Sequence, residues 1–178
     1  MRAVVVYESM FGGTKAVAEA AANGISSRME TRVVRAADAM SQQFEGVDLV
    51  VVGAPTHAHG LPRPSTRKEA PNYVKKANGD LMLEPGADSV VGVREWLSSV
   101  QRLDARCAAF DTRANGPGFL TGRASKRIAR VLKKHGASLV ASPQSFLTKG
   151  NKLVSGELER ASAWGESLAG QLVPAPMS

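Results

Sequence analysis

Apolar residues along this chain come in short unbroken runs that take turns with runs at helical spacing. Val4, Val5, Val6 and Tyr7 form the first continuous run, which predicts a strand buried on both faces of a parallel sheet. Ser9-Met-Phe-Gly-Gly-Thr14 interrupts it, and Val17, Ala18, Ala21, Ala22 and Ile25 then share one helical face. Residues 31–35 read as a second, edge-type strand and 36–46 as a connector with some helical character. Residues 48–53 make the next strongly buried strand. Val93, Trp96, Leu97 and Val100 predict a helix over 90–100, and 106–110 another strand. A helix follows over 121–135, with Ile128, Ala129, Val131 and Leu132 inward and Lys126, Arg127, Arg130, Lys133 and Lys134 outward, closed by Gly136. Residues 137–141 read as a fifth strand. Ser155 opens a last helix with Leu158, Ala161, Leu168 and Leu172 on one face.

Strands and helices that alternate in this way imply a parallel sheet with right-handed crossovers and helices on both faces. Ligands of such sheets bind outside the carboxyl ends of the strands. Three polar, glycine-bearing loops should meet there: 9–14, 53–60 and 111–118.

The first loop joins a buried strand to a helix start, where orphan amides point into one concavity and an anion can sit. Its two glycines permit unusual backbone angles, and Ser9 and Thr14 add neutral donors. Neither G-x-G-x-x-G nor G-x-x-x-x-G-K-[ST] occurs here. The same residues also suit a plain turn with a hydroxyl cap, and the loop alone does not decide between the two.

At 178 residues and 43% hydrophobic, the chain can bury one sizeable core, and a single domain over 1–173 with a frayed tail at 174–178 is expected. The sequence has no signal-peptide pattern and no membrane-length apolar stretch, which predicts a soluble, cytoplasmic protein. Cys107, the one cysteine, excludes an internal disulfide and reads as a small buried hydrophobe. The net charge of +7 admits nucleic acid, a membrane surface or an acidic protein as partner. The basic residues read as dispersed, and 5% aromatics offer no base-stacking platform, so nucleic acid is the poorer choice.

Ser9-x-x-Gly12-x-Thr14, Gly53-x-Pro55-Thr56 and Asp111-Thr112-Arg113 together resemble the three loops of the flavodoxin-like FMN-binding proteins, over nearly the whole chain. The resemblance implies a three-layer sandwich with a five-stranded parallel sheet in the order 2-1-3-4-5. It implies FMN as cofactor, with Ser9, Met10, Phe11, Gly12, Gly13 and Thr14 at the phosphate. Pro55, Thr56, His57, Ala58 and Gly60 would line one side of the ring, and Asp111, Thr112, Arg113 and Gly116 the other. The closing segment from Gly150 through Leu153, Gly156, Glu157, Arg160, Ala161 and Trp164 to Gly165 resembles a subset of the family, with no chemical role attached.

This sequence departs from the family in three places. His57 stands where many flavodoxins carry Trp, and Phe11 replaces a hydroxyl residue in the phosphate loop. The chain is basic where electron-carrying flavodoxins are acidic, which predicts a less reducing flavin if Arg113 or protonated His57 lies near its pyrimidine end. Residues 61–88 form a long basic insertion, either a plain surface excursion or a lid whose Arg63, Arg67 and Lys68 receive an anionic substrate, the phosphates of a nicotinamide cofactor or an acidic partner. His57 and His59 lack the further ligands a metal site needs.

The function expected is electron transfer, or a small flavin-dependent oxidoreductase, with a redox partner protein or small-molecule acceptor. The alternative is a flavin-free binding or regulatory module that meets an acidic partner through its basic loop.

Overall fold

In the computed structural model, which describes residues 1–42, 44–77 and 81–173, the apolar runs become the middle of one sheet. Strand β1 (Arg2–Tyr7) lies between β2 (Glu30–Arg35) and β3 (Leu49–Pro55), and β4 (Arg106–Ala114) pairs with β3, all in parallel. The fifth place is shared. β5 (Ser138–Leu139) runs beside the start of β4 and β6 (Gln144–Lys149) beside its end, and β7 (Lys152–Leu153) folds back on β6 antiparallel. The order 2-1-3-4-5 therefore holds by position, but the expected five strands are seven segments. Of residues 137–141 only two pair in a strand: between Leu139 and Gln144 the chain bulges, residues 140–143 standing opposite residues 108–109 of β4, and Pro143, which has no amide proton for the ladder, falls in the bulge.

β4 is also longer than its apolar run. Its pairing with β6 carries it through Ala114, so Asp111, Thr112 and Arg113 lie in the strand and the third loop begins at Asn115.

Alternate side chains of the strands enter two separate cores. Val4, Val6, Val50, Val52, Cys107 and Ala109 face α2 (Ala36–Ala39), α4 (Val93–Ser99) and α6 (Ala124–Lys134). Val5, Val51, Ala108 and Phe110 face α1 (Gly13–Ser26) and α7 (Glu157–Leu172), which completes the three layers. Burial pushes the Cys107 thiol up to about 12, so it is a core hydrophobe with no nucleophilic character. No helix among the described residues is long and apolar enough to cross a membrane. The tail expected at 174–178 lies outside the described residues.

The closing motif is a device for docking α7. Its first residues, Gly150 and Asn151, form the two-residue turn between β6 and β7, both with positive φ. The Glu157 carboxylate accepts the Leu147 N–H at 2.7 Å, and Arg160 donates to the Ser145 carbonyl at 2.6 Å while lying 4.3 Å over the Phe146 ring. Trp164 packs against Phe110 and Phe146. At Gly165 a side chain would stand 2.0 Å from the Ala21 carbonyl oxygen, so glycine sets how closely α7 approaches α1. α7 begins at Glu157, two residues later than the sequence predicts. Its buried stripe is Glu157, Ala161, Gly165, Leu168 and Ala169, and Leu158 turns to solvent.

Of the insertion, residues 78–80 lie outside the described residues, and the rest is folded. Residues 64–76 form α3 (Pro64–Lys76), with proline at its start and the Thr66 hydroxyl accepting the Arg63 N–H at 2.8 Å. Ala70 of this helix packs with Met10 and Ala87, placing α3 over the outside of the first loop. Arg67, expected at the surface to meet an anion, is 1% exposed and held inside by Glu8, Glu95 and the carbonyls of Ser89 and Val90. Only Arg63 and Lys68 of the three cations face solvent.

Candidate functional site

The carboxyl ends of β1, β3, β4 and β6 open onto a cleft of about 270 Å³. The first loop supplies Ser9, Met10, Phe11, Gly13 and Thr14, the second Pro55, Thr56 and His57, and the end of β4 supplies Thr112, Arg113 and Ala114. Thr148, Gly150 and Asn151 close the fourth side.

The first loop is shaped by its own polar groups. Gly12 adopts φ +87°, the left-handed region, and its N–H donates to the Ser9 hydroxyl at 3.1 Å. The amides of the first turn of α1, from Gly13 on, have no intrahelical acceptor and remain for an anion. The Thr14 and Thr112 hydroxyls bond each other at 2.6 Å, leaving one proton of the pair to donate elsewhere. Glu84 was not foreseen here: its N–H donates to the Met10 carbonyl at 2.9 Å, and its carboxylate pairs with Lys15 at 3.3 Å beside the loop.

The second loop is locked by a two-residue turn. His57 and Gly60 exchange backbone hydrogen bonds of 2.8 and 3.0 Å around Ala58 and His59, both with positive φ. Thr56 binds both neighbours, its N–H donating to the Thr112 carbonyl at 2.7 Å and its hydroxyl accepting the Ala124 N–H at 2.9 Å. The His57 ring meets Tyr73 of α3 edge to face at 6.2 Å.

On β4, Arg113 is buried, and its Nη1 donates to the Gly116 carbonyl at 2.7 Å and the Thr121 hydroxyl at 2.9 Å. Its Nε has no partner among the described residues. Asp111, fully buried, points the other way. One carboxylate oxygen accepts the Ser125 N–H at 2.7 Å and caps α6, so Asp111 lies outside the cleft wall.

Gly12, Ala58, Gly60 and Gly116 likewise act behind the wall, holding loop shape. Ala114, Thr148, Gly150 and Asn151 are wall residues that apolar patterning does not reveal. A signal for them exists in Gly150-Asn151, a dipeptide suited to a tight hairpin between Leu147-Thr148 and Leu153-Val154. A smaller cavity of about 120 Å³ lies beside Glu8 and Arg67 on the far side of the first loop. Burial raises the Glu8 pKa against the opposing pull of Arg67.

The arrangement can hold a phosphate-bearing ligand that extends from the first loop towards a cationic wall. Residues 5–164 match the flavodoxin family. No curated protein is significantly similar by sequence. Among solved structures, a flavodoxin from the domain Archaea superposes with a TM-score of 0.66 at 21% identity, covering 97% of this chain and 99% of the other. Oxidised flavodoxin 1 from Bacillus cereus gives 0.65 at 19%, covering 97% and 100%. A WrbA-like flavodoxin from Agrobacterium tumefaciens gives 0.61 at 19%, covering 96% of each. At these identities the likeness speaks for the fold, and the family match over most of the chain speaks for descent: the chain belongs to the flavodoxin family.

Proposed function

We propose that this chain holds FMN non-covalently in the cleft and passes electrons to a redox partner protein or a small-molecule acceptor. Family and fold support an electron-transfer flavoprotein in general terms. The choice of FMN rests on the cleft itself. Helix-start amides free for an anion stand on one wall and the Arg113 cation on another, which suits a ligand with a phosphate at one end and a polarisable ring system at the other.

In this reading the amides of the first loop, with the Thr14–Thr112 hydroxyl pair, bind the phosphate. Pro55, Thr56 and His57 flank one side of the ring and Thr112, Arg113 and Ala114 the other, with Thr148, Gly150 and Asn151 closing the pocket. Ala58, Gly60, Asp111 and Gly116 hold these walls in place. The bound flavin supplies the redox chemistry, and the protein orients it, limits water and sets the charge around it. Arg113 favours the negative charge that reduction places on the ring, which makes the flavin less reducing than in acidic carriers.

The test is the visible spectrum of the purified protein after added FMN and desalting, together with titration of FMN fluorescence. A retained flavin band or saturable quenching supports the reading. A colourless protein without saturable quenching overturns it.

A further inference from the structure

Against the expectation of dispersed charge, residues 123–134 hold six Lys and Arg and no Asp or Glu, so twelve residues carry six of the seven excess positive charges. Ile128, Ala129 and Leu132 of α6 are spent on the core, which fixes Arg123, Lys126, Arg127 and Arg130 in solvent. None of these four makes an ion pair among the described residues.

Two cations from other elements join them. The Arg94 guanidinium on α4 is anchored to the carbonyls of Leu61 and Pro62, at 2.9 Å for Nε to Pro62, just before Arg63 at the start of α3. Burial chiefly lowers the Arg94 pKa, and Arg127 and Arg63 act on it in the same direction against the pull of Glu95, so these cations lie within each other's field.

This basic face is continuous with the cleft. The Ala124 N–H is bonded to Thr56, and His59 bridges to Gly122. The turn between cleft and α6, α5 (Gly118–Thr121), exposes Phe119 at 83% and Leu120 at 59%. An apolar spot beside unpaired cations at the mouth of a redox site has the make-up of a protein contact. A membrane suits it less, because the apolar face of α6 is already buried. Nucleic acid suits it less, because α6 itself carries no aromatic side chain, and Phe119 and Tyr73, the two exposed aromatics among the described residues, stand on different elements and make no stacking platform.

We propose that α6, with Arg63 and Arg94, is the docking face for an acidic electron-carrying protein that presents its redox centre to the cleft mouth. The electron-carrying part rests on the flavin reading above. The experiment uses the purified chain with a plant-type ferredoxin as the acidic probe. Calorimetric titration is run at about 20 mM and about 500 mM salt, on either side of strong screening. The chain itself is compared with R127E/R130E and with R28E, an exposed charge reversal just beyond the end of α1.

Expected is low-salt binding that weakens about tenfold or more in R127E/R130E and at high salt, stays unchanged in R28E, and leaves the FMN titration of R127E/R130E unaltered. The proposal is overturned by absent ferredoxin binding, by equal affinity in R127E/R130E, or by tighter α6-dependent binding to phosphatidylserine vesicles or single-stranded RNA. Ferredoxin binding without FMN binding would remove the flavin reading and leave the docking face standing. FMN binding without ferredoxin binding would do the reverse.

Discussion

Arg67 of α3 and Glu8 at the end of β1 form a buried ion pair, Nη1 to Oε1 at 3.2 Å, with side chains 1% and 6% exposed. The other Glu8 oxygen accepts the Val93 N–H at 2.8 Å, and Arg67 Nη2 reaches Glu95 at 2.6 Å. One guanidinium thus ties the insertion to the central strand, to α4 and to the residue before the first loop.

Removing one member of such a pair strands a buried charge. Arg67→Met should lower stability by about 3–5 kcal/mol in urea unfolding. The double variant Glu8→Gln/Arg67→Met should lose clearly less, since neither charge is then left alone. Equal losses in the two variants would mean that the pair does not act as a unit.

Glu84 holds a negative charge beside the first loop, only partly offset by Lys15. Both side chains are partly exposed, so the effect is modest. Glu84→Gln should tighten FMN about two- to threefold, or about 0.5 kcal/mol, with riboflavin, which lacks the phosphate, unchanged. A parallel gain for riboflavin would place the effect away from the phosphate.

Arg113 combines a charge beside the ring with a hold on Gly116 and Thr121. Arg113→Met should lower the flavin's potential by on the order of tens of millivolts and weaken FMN, whereas Arg113→Lys should keep most of the potential. Spectroscopic redox titration separates charge from loop geometry. Equal potentials in the two variants would remove the electrostatic role.

Glu157 joins α7 to β6. Burial alone would raise its pKa, but Arg160 and the Leu147 amide hold it below the usual glutamate value of 4.5. A depressed folded pKa gives stability that is present above pH 4.5 and lost as pH falls through the folded value. Glu157→Gln should therefore cost about 1 kcal/mol at neutral pH, with the difference from wild type closing below pH 4.5 in urea unfolding.

Much of the fold was legible in the order of residues. The runs at Val4–Tyr7 and 48–53, the helical faces of α1 and α6, and the polar loops between them specify an α/β sheet with those loops gathered at the carboxyl edge, because burial on two faces leaves a local, periodic trace. Cys107 as a core residue was legible on the same ground.

Tertiary pairing decided the rest. β3 and β6 together carry β4 through Ala114, which sets Asp111 under α6, and β6 brings Thr148, Gly150 and Asn151 to the cleft, although Gln144-Ser-Phe-Leu-Thr-Lys149, with Phe146 as its one buried residue, is too polar to announce a strand. Arg67 in sequence is one more cation of a basic insertion. Only the fold places two carboxylates against it, because its partners lie 59 and 28 residues away and no local pattern records who meets whom across such distances.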